Sequence, residues 1–204
     1  MRVAVLDLGL GNLLSIKRGL ERAGAEVAIT AGDGEGGTPK DAEPDAVVLP
    51  GVGAFRDATN AIGRFNATME QVRGGKPLLG VCLGMQLLFT KSYEGGEYPG
   101  LDLIRGEVVR LPDSVKVPQM GWNAIRSTKD SLILKDVIDG EFFYFVHSYY
   151  CRAEKDVVVA YTEYGVEVPA IVESGNVLGT QFHPEKSGRA GLTILKNFLE
   201  AARR

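Results

Sequence analysis

The sequence predicts an α/β fold: a mostly parallel central sheet flanked by helices on both faces, with an added antiparallel β layer. Two observations predict it. In the first ~90 residues, apolar strand-like runs alternate with amphipathic helical patterns, the signature of parallel strands joined by helical crossovers. After about residue 105, strand-like runs follow one another with few helices between them, so they extend the sheet and add the antiparallel layer.

Residues 3–8 are nearly continuous in apolar side chains and read as a buried strand. Gly9 and Gly11 follow, then a helix from about residue 12 to 23, with Leu13, Ile16 and Leu20 on one stripe and Gly24 as its stop. A strand over residues 26–29 leads into Gly32-Asp33-Gly34-Glu35-Gly36-Gly37, which has the composition of a flexible surface loop. Residues 45–49 form the third strand, closed by Pro50-Gly51-Val52-Gly53. One long helix is expected next, with Phe55, Ala58, Ile62, Phe65, Met69 and Val72 on one stripe. Residues 78–81 are the fourth strand, and a helix opens at Leu83. Later strands are read at residues 107–111, 142–146, 157–164, 168–173 and 177–182. A last helix over about 188–203 carries Leu192, Leu195, Phe198, Leu199 and Ala202 on one face. With no internal repeat and no dividing linker, residues 1–204 read as one domain.

Apolar residues make up 45% of the chain and charged residues 24%, which excludes a disordered polyelectrolyte. The net charge of −3 is spread along the sequence, and Arg203-Arg204 is too short for a nucleic-acid-binding patch. No apolar run approaches the ~20 residues of a membrane span, and Asp7 interrupts the opening run too early for a signal peptide. A cytoplasmic chain is expected, with Cys82 and Cys151 kept as thiols.

There are only two cysteines and two histidines, and one of each stands where a nucleophile and its base belong. Gly80-Val81-Cys82-Leu83-Gly84 has nucleophile-elbow spacing, with glycines two positions either side of the central residue. Such a turn sets Cys82 at a helix start, where free amides and the dipole favour a thiolate. His183 ends a strand, is held extended by Pro184, and has Glu185 two residues on to bind one ring nitrogen. Acyl transfer also needs donors for the developing oxyanion. The Leu83 N–H is one candidate, and the Pro50-to-Gly53 turn, with Val52 and Gly53, offers the second. Cys151 and His147 read as structural, although His147 ends a strand and could line the same crevice. No metal-ligand cluster, phosphate loop or dinucleotide fingerprint occurs. The residues alone point to a Cys-His-Glu enzyme acting on an amide or ester carbonyl.

Gly80-Val81-Cys82-Leu83-Gly84-Met85-Gln86 and His183-Pro184-Glu185 resemble the cysteine elbow and the histidine–acid pair of class I glutamine amidotransferases. Gly9-Leu10-Gly11-Asn12-Leu13, Pro50-Gly51-Val52-Gly53-Ala54-Phe55 and Pro118-Gln119-Met120-Gly121-Trp122-Asn123 narrow the likeness. They are similar to the glutaminase subunits of imidazole glycerol phosphate synthase, in histidine biosynthesis. The resemblance implies that Cys82 attacks the side-chain amide of L-glutamine, that His183 shuttles the proton, and that Glu185 orients it. Gly53, Gln86, Ser148 and Tyr149 match positions that hold glutamine. Asn12, Trp122, Asn123 and Lys186 match the surface facing a (β/α)8-barrel cyclase subunit, which takes up the ammonia. No organic cofactor or metal is implied.

Residues 89–95 depart from the more acidic run expected by this likeness, and the 32–37 loop is unusually glycine-rich, but neither is expected to touch the catalytic motifs. Two alternatives remain open. One is the glutaminase of another synthase, such as pyridoxal phosphate synthase, against which the Met120-to-Asn123 segment counts. The other is a catalytically silent binding module on the same fold, which would have no need of Cys82, His183 and Glu185 together.

Overall fold

The computed structural model describes residues 1–33 and 43–203, so most of the glycine-rich loop, residues 34–37, lies outside the described residues. The chain opens with β1 (Arg2–Leu6), α1 (Leu13–Ala23) and β2 (Glu26–Thr30). Asn12 begins α1 by accepting the Ser15 N–H on its side-chain oxygen at 3.2 Å, and Gly24 ends it in the left-handed region. After β3 (Ala46–Leu49), the single long helix expected from the stripe is divided into α2 (Phe55–Ile62) and α3 (Asn66–Arg73). A 3₁₀ turn over Gly63–Phe65 separates them. The cause is a cap from elsewhere in the chain: the Asp33 carboxylate accepts the N–H groups of Ala67 and Thr68, which starts a new helix there. The six stripe residues are buried as expected.

β4 (Leu78–Val81) runs directly into α4 (Leu83–Leu87), a helix of only five residues. Then follow β5 (Phe89–Ser92), β6 (Tyr98–Pro99), β7 (Ile104–Arg110), β8 (Gln119–Ala124), β9 (Arg126–Ser127), β10 (Phe142–His147) and β11 (Tyr149–Ala153). The chain closes with β12 (Val158–Glu163), β13 (Glu167–Ser174), β14 (Val177–Thr180) and α5 (Gly188–Ala201). In α5 the buried set is Ile194, Leu195, Phe198 and Leu199 with Asn197, while Leu192 and Ala202 sit at its margin. Asn197 turns the helix this way by donating to the carbonyls of Ile133 and Lys135.

Among the described residues, the main sheet has the order β2-β1-β3-β4-β14-β13-β12-β9. Its first five strands are parallel; β13, β12 and β9 continue it antiparallel. The added layer is two smaller sheets, β10-β8 and β11-β7-β5-β6. The continuous apolar strands have a plain reason, because alternate residues serve opposite cores. Val48, Leu79 and Val81 face a core shared with Ile16, Leu20, Leu195 and Phe198 of α1 and α5. Val47, Leu49 and Leu78 face the other, with Phe55, Phe65, Met69 and Met85. Burying one such phenylalanine contributes about 1.5–3 kcal/mol. β3, β4 and β14 lie side by side, so the Pro50 turn, Cys82 and the His183 segment emerge together at their carboxyl ends.

Candidate active site

Cys82 adopts φ 55° and ψ −109°, a left-handed backbone that few side chains other than glycine tolerate. The strain is held by the surroundings: the Cys82 N–H donates to the Thr180 carbonyl at 2.7 Å, and Gln86 N–H donates to the Cys82 carbonyl. The flanking glycines are required by packing. A Cβ on Gly80 would lie 2.7 Å from the Gly84 carbonyl oxygen, and one on Gly84 would be driven into the carbonyl of Leu49. The elbow therefore forms only if both positions lack side chains.

The His183 N–H donates to the Tyr144 carbonyl, and the Ser187 hydroxyl donates to the His183 carbonyl, fixing the backbone on both sides. Its Nδ1 lies 2.9 Å from Glu185 Oε1, with both side chains buried. Nε2 has no partner of hydrogen-bonding geometry, yet the thiol of Cys82 is near enough to act on the ring. Burial opposes the charged imidazole, but hydrogen bonding and charge from Cys82 and Glu185 outweigh it and push His183 up to about 10. This arrangement favours the charged imidazolium of His183.

Cys82 opens into a cavity of ≈ 320 Å³ lined by Val52, Gly53, Leu83, Gln86, Ser148 and Tyr149 among others. The sequence-predicted oxyanion and substrate residues thus converge on Cys82. Val52 is 39% exposed, and Gly53 has φ 111°, open to a glycine alone. Cys151, by contrast, is sealed in the core, where burial and then the charge of Cys82 push its thiol well above the usual range.

Gln181 was not singled out from sequence, Glu94 was met only within the 89–95 stretch, and His147 was read as structural though able to line the crevice. Gln181 is fully buried, and its Nε2 donates to Cys82 Sγ at 3.7 Å. Glu94 lines the cavity while accepting the Phe55 N–H at 2.9 Å, so the 89–95 segment does reach the cavity at Cys82. His147 lines it too, with Nδ1 on the Tyr149 carbonyl and Nε2 unpartnered. Burial pushes His147 down to about 4, against the Tyr149 hydrogen bond and aided by the charge of His183. It stays neutral beside the imidazolium. The signal that marks Gln181 is a polar residue inside an apolar strand end; the one that marks His147 is its place at a strand end beside the crevice.

The residues expected to face a partner are dispersed along the chain yet partly gathered in space. Trp122 is 53% exposed and meets Tyr144 edge-on at 6.1 Å, while Lys186 Nζ lies over the same tyrosine ring at 5.9 Å. Trp122 occupies a strand, β8, whose other outward residue, Met120, is also exposed. Asn123 donates to the Glu163 carbonyl, and the exposed Asn12 caps α1, so both amides are engaged within the chain. Among the described residues, no group of three or more His, Cys, Asp or Glu could hold a metal ion, and no helix is long and apolar enough to cross a membrane.

Comparison with known proteins agrees with this geometry. Residues 4–202 match the family Glutamine amidotransferase class-I. The chain is 50% identical over 204 residues to the imidazole glycerol phosphate synthase subunit HisH of Methanosarcina mazei, covering 98% of each. It is 49% identical to that of Moorella thermoacetica, covering 98% of this chain and 95% of the relative, and 47% identical to that of Archaeoglobus fulgidus, covering 99% and 100%. Two solved structures share the fold. A glutamine amidotransferase gives a TM-score of 0.75 at 22% identity, covering 99% of each chain. PurLQS from Thermotoga maritima gives 0.74 at 20%, covering 98% of each. With the elbow, the histidine–carboxylate pair and full-length matches in agreement, this chain belongs to the class I glutamine amidotransferases and, within them, to the HisH subunits of imidazole glycerol phosphate synthase.

Proposed function

We propose that the chain, as one domain over residues 1–204, is the glutaminase subunit of imidazole glycerol phosphate synthase and that its reaction runs on Cys82, His183 and Glu185. The observation that carries the reading is the strained Cys82 beside a His183 whose far nitrogen is held by Glu185, at the wall of the cavity. Sγ attacks the side-chain amide carbon of L-glutamine. The resulting oxyanion meets the Leu83 N–H and an amide of the Val52–Gly53 turn, donors that cost no reorganisation at that moment. His183 gives its proton to the departing nitrogen as the C–N bond breaks, leaving a glutamyl thioester and ammonia. The neutral imidazole then takes a proton from water, which attacks the thioester and releases glutamate. Glu185 holds the tautomer throughout.

Gly53, Gln86, Ser148 and Tyr149 line the cavity and suit the amino-acid end of glutamine. The Trp122, Asn123, Lys186 and Asn12 surface suits the cyclase subunit, which receives the ammonia. We read the working compartment as the cytoplasm, since both cysteines are free thiols and the nucleophile needs reducing surroundings. A glutaminase assay on the purified chain, with and without a cyclase subunit carrying its nucleotide, tests the reading. Glutamate formation coupled to nucleotide product supports it; no glutamate under either condition overturns it.

A further inference from the structure

Two buried carboxamides form a directional chain that ends on the nucleophile, and its direction follows from one carbonyl. The Tyr149 carbonyl oxygen can only accept, so the Gln86 group 2.8 Å from it must be the NH₂. The second hydrogen of that NH₂ goes to Gln181 Oε1 at 3.1 Å. With its oxygen thus claimed, Gln181 has only its own NH₂ to turn toward Cys82 Sγ, at 3.7 Å. Neither side chain can flip without a clash of like groups in a buried site: a flipped Gln86 sets its oxygen against those of Tyr149 and Gln181, and a flipped Gln181 sets its NH₂ against that of Gln86, with Gln181 fully buried and Gln86 4% exposed. The Gln181 backbone is pinned as well, its N–H donating to the Ala170 carbonyl of β13.

Besides the His183 ring, a further polar neighbour of Sγ is the Val146 carbonyl, also at 3.7 Å. An S–H can donate to it, whereas a thiolate meets only its negative end. The Gln181 N–H has the opposite preference. We propose that Gln181 is a thiolate-holding residue whose amide polarity is set by Gln86, so that Gln86 acts on the nucleophile through Gln181 as well as facing the cavity. Both hydrogens of the Gln86 NH₂ are spent inside the protein, which leaves its oxygen to the cavity. This inference rests on the reading of Cys82 as nucleophile.

The test is the pH profile of Cys82 alkylation by iodoacetamide, read by peptide mass spectrometry without glutamine. The other ionisable groups near Cys82 are His183 with Glu185, Cys151 from β11, and His147 from β10 and Glu94, which line the same cavity; all are left intact. Gln181→Met keeps bulk and removes the donor, and Gln181→Glu keeps shape and replaces the donor with an acceptor. Each should slow alkylation at neutral pH by roughly tenfold or more, the scale of one hydrogen bond to a charged group, and the rate should recover at high pH. Gln86→Met, which frees Gln181 to flip, should move the profile the same way by less. Far-UV circular dichroism checks that each variant is folded. A profile unmoved in every folded Gln181 variant overturns the holding role, and one moved by Gln181→Met but not by Gln86→Met overturns the relay. Failure of the wild type to alkylate at Cys82 ahead of Cys151 would instead overturn the nucleophile assignment itself.

Discussion

The His183 N–H donates to the Tyr144 carbonyl at 2.9 Å, so the proposed catalytic base hangs from the strand whose tyrosine ring supports Trp122 and Lys186 on the exposed face. The surface suited to a partner and the ring suited to proton transfer are one backbone hydrogen bond apart. Trp122→Ala should therefore weaken assembly with the cyclase, or stimulation by it, more than it lowers hydrolysis by the isolated chain. A half-exposed aromatic at an interface centre typically contributes about 2 kcal/mol or more. Titration calorimetry and a glutaminase assay on the same variant check both halves.

Cys82→Ser should abolish glutamine hydrolysis, and Cys151→Ser should leave it nearly intact. An alkylating glutamine analogue should label Cys82 alone, because Cys151 is sealed in the core. Labelling of Cys151, with activity surviving in the Cys82 variant, would refute the assignment.

Loss of the base should cost more than loss of its orienter. His183→Ala should be nearly inactive, while Glu185→Gln should remain measurable, since a ring without its carboxylate still samples the useful tautomer. Steady-state kinetics on the two variants decide the order. Were His147→Ala the crippling change instead, the triad would have to be redrawn around that ring.

Stability should respond to acid through His147. Its value falls from 6.5 to about 4 on folding, so between these pH values the unfolded chain binds the extra proton. Stability is then lost as pH drops through that window, by about 1.4 kcal/mol per unit at most. His147→Asn, which can still donate to the Tyr149 carbonyl, should show a shallower slope in urea titrations at several pH values. His183 acts in the opposite sense: raised to about 10, its contribution is complete below 6.5 and declines as pH climbs toward 10.

Ammonia freed into water is protonated and lost to the partner, so a quiet isolated subunit is the expected state. The Val52–Gly53 turn is exposed and glycine-hinged beside Cys82, where presenting or withdrawing one amide could change turnover by ~10²–10³. The purified chain should hydrolyse glutamine weakly and accelerate strongly on adding cyclase loaded with its nucleotide. A full rate for the chain alone, unchanged by loaded cyclase, would count against the coupling.

The elements legible in the sequence were those whose local pattern and tertiary role agree. The apolar runs at β1, β3 and β4 and the glycine-flanked Cys82 each admit one structure, because continuous apolar strands need two cores and a strained elbow needs side-chain-free neighbours. The short strands β5, β8 and β11 were not legible. β8 keeps Gln119 in and turns Met120 and Trp122 out, the reverse of the usual polarity, so no alternation of the expected kind announces it. The break between α2 and α3 was likewise hidden, because its cap comes from Asp33, more than thirty residues earlier.

By itself the sequence determined the fold class and marked Cys82 and the His183–Glu185 pair as the candidates for nucleophile, base and orienter, since each is written in neighbouring residues whose spacing carries the chemistry. Tertiary structure alone decided that β3, β4 and β14 lie side by side, bringing the Val52–Gly53 turn and Cys82 to one cavity with His183 next to Cys82. It also decided that Gln86 orients Gln181, that Glu94 reaches that cavity, and that His147 remains neutral there. Those facts depend on burial and on hydrogen bonds between residues far apart in the chain, and no local pattern encodes a partner that only folding supplies.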